Sequence, residues 1–199
     1  MTTAQNRSVD RSKDRARLIA IIKERSFEKG GERKLASGRT SNFYFNMKPT
    51  MLHAEGAHLI GVLVLDAIKD DKADLVGGLE MGAVPIAAAV AATSQMLIQS
   101  GQRPVSAFFV RKQAKDHGTQ SLIEGLAKGE TLQGKRVVVV EDVTTTGGSA
   151  LKAVEVLQAG GATVVRVLTL VDRQEGAAET FAKAGIAFTS ILSTDDFKD

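Results

Sequence analysis

The chain has 199 residues, 43% of them apolar, with 19 glycines, no cysteine and a formal net charge of +3. That length and apolar content suit one domain with a full core. The lack of cysteine excludes a disulfide framework and thiolate zinc sites, and it suits a reducing cytoplasm. No run approaches the roughly 20 apolar residues of a membrane-spanning helix, and Met1–Asp14 lacks the apolar centre of a secretory signal. The mild positive charge fits a small anionic substrate as well as a nucleic acid, but basic residues interleaved with aromatics are missing, so no nucleic-acid partner is expected.

About residues 1–10 read as a flexible polar tail. Arg15–Phe27 carries Leu18, Ile19, Ile21 and Ile22 at near-helical spacing, which predicts an amphipathic helix ended by Gly30-Gly31. Lys34–Asn46 reads as a hairpin turning at Ser37-Gly38-Arg39-Thr40, and Pro49 stops its second strand. Ala54–Ile68 predicts a second helix. From there strands and helices alternate: strand Asp74–Gly78, helix Val84–Ile98, strand Val105–Val110, strand Lys135–Glu141, helix Ala150–Ala159, strand Val164–Val171, helix Ala177–Ala184 and strand Ala187–Leu192. Val137–Val140 is apolar without alternation, as parallel strands covered on both faces are. The expected fold is therefore α/β, a doubly wound, mainly parallel sheet flanked by helices. It forms a single domain over residues 1–199, with an N-terminal helix and hairpin at about 11–53. Only Arg111–Gly134 has no clear element, and a connection that long inside a compact domain usually serves function.

Glu141-Asp142 closes the valine strand, and Thr144-Thr145-Thr146-Gly147-Gly148-Ser149 leads into a helix. Glycines allow close backbone approach, and free N–H groups at a helix start attract a phosphate. By itself such a turn equally suits an ordinary capped helix. Two carboxylates beside an anion nest make sense when they meet something other than the phosphate, and a ribose 5-phosphate supplies both phosphate and hydroxyls. No lysine follows the glycines, which speaks against a Walker loop. Further back, Arg111-Lys112-Gln113-Ala114-Lys115-Asp116-His117-Gly118 places three cations and a histidine on a segment that starts where a parallel strand ends. Such a segment can neutralise a leaving anion, and His117 can give it a proton or hydrogen bond.

The run Val137–Ser149 resembles the motif by which type I phosphoribosyltransferases bind 5-phosphoribosyl 1-diphosphate (PRPP). The Arg-Lys-x-x-Lys-x-His-Gly arrangement from Arg111 is similar to the catalytic loop of the orotate phosphoribosyltransferases. Ser37–Asn46 resembles that family's N-terminal hood, and Leu79–Pro85 its pyrophosphate loop. The resemblance, over roughly Arg33–Arg173, implies transfer of the 5-phosphoribosyl group from PRPP to orotate, giving orotidine 5′-monophosphate and pyrophosphate in pyrimidine biosynthesis, with Mg²⁺ arriving on PRPP. It implies that Glu141 and Asp142 hold ribose hydroxyls and that Val143, Thr144, Thr145, Thr146, Gly147, Gly148 and Ser149 hold the 5-phosphate. Arg111, Lys112, Lys115, His117, Met81 and Gly82 would meet the pyrophosphate, and Tyr44, Phe45, Thr145 and Arg173 would meet orotate. Lys115, His117, Glu141 and Asp142 are the expected catalytic groups. The loop reaches into a partner's site in that family, which implies a homodimer. Ala36 stands where many members carry lysine, Met81-Gly82 replaces a Tyr-Lys pair of some members, and Lys48 offers a substitute charge. A purine phosphoribosyltransferase and a non-catalytic PRPP-sensing regulator on the same fold are the alternatives.

Overall fold

The computed structural model describes residues 10–34, 40–113 and 122–198. The N-terminal tail, the Ser37–Arg39 turn, and Lys115 and His117 lie outside the described residues.

Helix α1 (Ser12–Arg25) buries Leu18, Ile21 and Ile22, the i, i+3, i+4 stripe visible in the sequence. It ends earlier than the spacing predicts. Phe27 opens strand β1 (Phe27–Lys34), which pairs antiparallel with β2 (Thr40–Phe45). Gly30-Gly31 therefore lies inside a strand instead of closing a helix. Both glycines have positive φ (103° and 79°), and the register shifts between Lys29 and Arg33. Only glycine takes that backbone cheaply, so the pair marks a bulge. The short helix α2 (Lys48–Met51) follows, then α3 (Ala54–Ala67).

Strand β3 (Leu75–Gly77), helix α4 (Ala83–Met96) and strand β4 (Ser106–Ala107) form one crossover; β7 (Arg136–Thr144), α5 (Gly148–Ala159), β8 (Thr163–Asp172), α6 (Ala177–Lys183) and β9 (Phe188–Ser193) form the others. The single strand expected over Val105–Val110 is two. Strands β4 and β5 (Phe109–Val110) part at buried Phe108, whose N–H still donates to Val76 O at 3.0 Å. β5 pairs antiparallel with β6 (Ile123–Glu124), while Val110 N–H keeps a 2.8 Å bond to Gly78 O beyond the end of β3. Part of the Arg111–Gly134 stretch thus has regular structure: a small ladder at the foot of the basic segment.

Among the described residues the main sheet is parallel with order β4-β3-β7-β8-β9. The chain winds one way from β3 and the other way from β7, so the winding reverses between those neighbours. Ligands of open α/β sheets bind in the crevice at such a point. Helices cover both faces. Val138 and Val140 belong to one core with the apolar side chains of α1, α3 and α4; Val137 and Val139 belong to the other, with those of α5 and α6. This double burial is why the strand is apolar at every position.

The hairpin is fastened to the body by aromatic rings. Phe45 lies with its centroid 5.0 Å from both Phe27 and Phe197, joining β2 to the C-terminal turn. Phe45→Ala is expected to cost about 3–5 kcal/mol. Chemical denaturation checks this; a loss below about 1 kcal/mol would contradict the ring's place in the core.

Candidate active site at the strand switch point

Strand β7 runs three residues beyond its expected end, so Glu141, Asp142, Val143 and Thr144 belong to the ladder. Glu141 is 8% exposed and Thr144 3%. Glu141 borders a cavity of about 260 Å³ with Val143–Ala150 and Lys152. Asp142 belongs to a second cavity of about 420 Å³, which Glu141 also touches, with Lys48, Leu79–Gly82, Lys112, Val143 and Ser149. The acidic pair therefore stands where two adjoining cavities meet, directly over the switch point.

The first cavity is the turn into α5. Gly147 caps the helix with φ 86°, and no side chain caps the free N–H groups of its first turn. A Cβ at Gly147 would lie 2.8 Å from the Phe181 ring, so both backbone angle and space require glycine. Thr144 Oγ1 is buried with no hydrogen-bond partner among the described residues. Uncapped amides, the positive end of a 12-residue helix and an orphaned hydroxyl make an anion nest.

The second cavity is walled by the turn after β3. Glu80 N–H donates to Val110 O at 2.8 Å, and the Glu80 carboxylate accepts from Lys112 N–H at 2.9 Å. That bond holds the start of the basic segment against the crevice. Arg111 faces Glu124 at 3.8 Å, and Arg111 and Lys112 line a third cavity with Ser149 and Lys152. Gly82 meets Asp142 so closely that a Cβ there would sit 2.6 Å from Asp142 Oδ1. Met81 is exposed.

Arg173 follows the end of β8. Its N–H donates to Thr144 O at 2.9 Å, its Nε donates to Glu175 Oε1 at 2.8 Å, and its guanidinium lies 4.7 Å from the Phe43 ring centroid. Thr145 is half-buried next to Thr144. The expected Tyr44–Phe45 pair is not brought together. Successive strand residues face opposite ways: Phe45 is core, whereas Tyr44 is 38% exposed. A Phe45 ring locked among Phe27, Phe43 and Phe197 is not available to stack on a base, which corrects that assignment. The ring beside Arg173 is Phe43, and period-two alternation along Asn42–Phe45 was the signal for it. Glu80, Lys152 and Glu175 had no sequence signal: Glu80 is placed by Lys112 on a distant segment, Glu175 by a turn back to Arg173, and Lys152 by the side of α5 that borders the cavity.

Burial pushes the Glu141 carboxyl up to about 8, assisted by the Asp142 charge and opposed by Lys112. Asp142 is raised by burial too, and is drawn back by the Val143 N–H and its own, then by Lys48 and Lys112. Near neutral pH the site thus holds a carboxylic acid whose Oε1 is buried without a partner among the described residues, ready to exchange hydrogen bonds with a hydroxyl and, on losing its proton, to meet a positive charge. Among the described residues no three His, Asp or Glu side chains gather as a metal cage.

The family model for the phosphoribosyl transferase domain matches residues 50–198. An orotate phosphoribosyltransferase of Bradyrhizobium diazoefficiens is 58% identical over 189 residues, covering 95% of this chain and 98% of the relative. This chain belongs to the orotate phosphoribosyltransferase family. A relative from Sorangium cellulosum shares 45% identity over 92% of the chain and 93% of its own length. The Mycobacterium tuberculosis orotate phosphoribosyltransferase solved with PRPP is 38% identical, with a TM-score of 0.74 over 92% of this chain and 98% of that one. The same mycobacterial enzyme in complex with Fe(III) dicitrate superposes with a TM-score of 0.79 at 40% identity over 94% and 99% of the two chains. An adenine phosphoribosyltransferase of Leishmania donovani, 17% identical, shares the fold alone. The expected fold and family thus stand.

One consequence concerns pH. A carboxyl with a raised folded pKa holds its proton in the folded state while the unfolded chain releases it near 4.5. Its contribution to stability is complete below about pH 4.5 and declines as pH rises to about 8. Glu141→Gln should therefore melt progressively higher than the parent from about pH 5 to 9. Parallel melting curves across that range would count against the buried acid.

Proposed function

We propose that this chain transfers the 5-phosphoribosyl group of PRPP to orotate, giving orotidine 5′-monophosphate and pyrophosphate, in pyrimidine biosynthesis. The observation that carries it is the continuity of the two cavities through Glu141, which spaces an anion nest, an acidic pair and a cationic wall in the order of phosphate, ribose and pyrophosphate. The membership in the family supplies the acceptor.

In this reaction the bond from the anomeric carbon to the pyrophosphate oxygen breaks and a bond to a ring nitrogen of orotate forms. Thr144–Ser149 hold the 5-phosphate through the α5 amides and the Thr and Ser hydroxyls. Glu141 and Asp142 take the ribose hydroxyls, Glu141 as a buried acid that can donate as well as accept; whichever of the pair is ionised attracts positive charge at the anomeric carbon more strongly for being shielded from water. Lys112 and Arg111 offset the charge that builds on the leaving group; Lys115 and His117 belong to the same segment and to the same proposal. Met81 and Gly82 edge that part of the cavity. Arg173, pre-aligned by Glu175 and Phe43, presents a planar cation to the orotate carboxylate, with Thr145 and Tyr44 nearby in the proposed arrangement.

Mg²⁺ belongs to the proposal as well. The donor set fits an ion shared with substrate oxygens: two carboxyls together and a buried, unpartnered Glu141 Oε1, without a cage of three or more side chains among the described residues. When bound, the ion supplies charge neutralisation to the phosphates. The expected cytoplasmic location is a further part of the proposal; among the described residues no helix is long and apolar enough to cross a membrane.

The direct assay follows orotate absorbance with PRPP and Mg²⁺. Loss of orotate and equal release of pyrophosphate are expected, whereas turnover of adenine or guanine without orotate would replace the acceptor. Binding of PRPP with no turnover of any base would favour the sensor reading.

The homodimer gives a separate outcome. If Lys115 reaches a partner's site, Lys115→Ala and Asp142→Asn subunits, each inactive alone, should regain activity when co-expressed, because one site of each mixed dimer is native. Absent complementation in a verified mixed dimer would place the loop over its own subunit's site.

A further inference from the structure

Lys48 is the first residue of α2, between the hairpin and α3. Its neighbours are anchored. Met47, Thr50 and Met51 are buried, and the Thr50 and Ser26 hydroxyls share a 2.6 Å hydrogen bond inside the protein. Leu52 N–H donates to Lys48 O at 3.0 Å. The backbone under Lys48 is thus held by core contacts, while its own side chain is exposed and borders the cavity shared by Gly82, Lys112 and Asp142.

Across that cavity the β3–α4 turn offers no cationic side chain. Position 82 is bare, and it is bare for a steric reason: a Cβ would lie 2.6 Å from Asp142 Oδ1 and 2.8 Å from its Cγ. Asp142 has little room to yield, because Val143 N–H holds the same Oδ1 at 2.9 Å. A lysine at position 82 would therefore displace one of the acidic pair. The wall still needs positive charge if a pyrophosphate is to lie there, since the turn supplies at most backbone amides. Among the described residues lining the cavity, the cations are Lys48 and Lys112.

Resting on the transferase reading above, we propose that Lys48 is a binding residue for the leaving pyrophosphate, and that it carries the charge which the close approach of Asp142 excludes from position 82. A lysine ammonium is a compact point charge on a flexible stem, suited to an anion whose position shifts as its bond breaks. Its charge already reaches across the cavity, where it acts on Asp142. Lys112 enters from the basic segment, so the two cations approach the leaving group from different elements.

The test compares the full-length protein with Lys48→Gln and Lys48→Arg. Calorimetry with pyrophosphate and Mg²⁺, and separately with ribose 5-phosphate, reads binding without any acceptor. Lys48→Gln should weaken pyrophosphate binding about tenfold or more and leave ribose 5-phosphate within about twofold. In the assay the same variant should raise the PRPP KM, with the orotate KM nearly unchanged, and Lys48→Arg should recover much of the loss. The melting temperature should not move, because the side chain is exposed. Pyrophosphate binding within about twofold of the parent would overturn the proposal. So would an equal loss of ribose 5-phosphate, or a shifted pH profile with unchanged PRPP affinity, which would reduce Lys48 to a neighbour tuning Asp142. Rescue of Lys48→Gln by Gly82→Lys would overturn the steric exclusion. A parent that binds pyrophosphate through Lys48 but never consumes orotate would instead refute the transferase reading and leave Lys48 in place.

Discussion

A carboxyl at the end of a strand that must be apolar on both faces is the constraint around which the site is arranged. Four valines carry β7 between two layers of helices, and the chain emerges at the point where the winding reverses. Glu141 is the first polar side chain after them and is still buried. Burying a carboxyl without a partner costs free energy, and the protein lowers that cost by keeping the proton on. The group is tolerated there because open cavities adjoin it on the ligand side.

Around that carboxyl the surrounding elements yield space. Position 82 carries no side chain beside Asp142, and position 147 carries none beside Phe181. Each bare position lets something else approach: a carboxylate in one case, the Phe181 ring in the other. The β3–α4 turn is in turn held by the hydrogen bond from Glu80 N–H to Val110 O, and the Glu80 carboxylate fixes Lys112. Rigid strands place the acids and the arginine, and short turns place the amides, a division that suits a site needing fixed charges.

Much of this was legible in the sequence where one kind of burial dominates. An unbroken apolar run can only be a covered strand or helix, so β7, β8 and the alternation around them stood out. The Thr-Gly turn was legible because its residue types answer local backbone needs. The rest depended on partners distant in sequence. Gly30-Gly31 reads as a helix stop until β2 pairs across it and turns it into a bulge. Phe108 reads as mid-strand until β6 pairs with Phe109 and Val110 and sets them apart as β5. Tyr44 and Phe45 read as a pair by adjacency, yet the pleat separates them and leaves Phe43 beside Arg173. The protonation of Glu141 was hidden for the same reason, since composition does not reveal how deeply a strand end is covered.

The hydrogen bond from Arg173 N–H to Thr144 O joins the end of β8 to the start of the phosphate turn. Neighbouring strands lie about 4.8 Å apart, and a ladder does not stretch. In the proposed reading, the group that grips the acceptor's carboxylate and the group that grips the phosphate are mounted on adjacent rungs of one sheet. On that reading the two groups form a caliper with fixed jaws. A nucleotide whose acidic base and phosphate match that opening engages both ends at once, while a base with its acid elsewhere leaves one jaw closing on nothing.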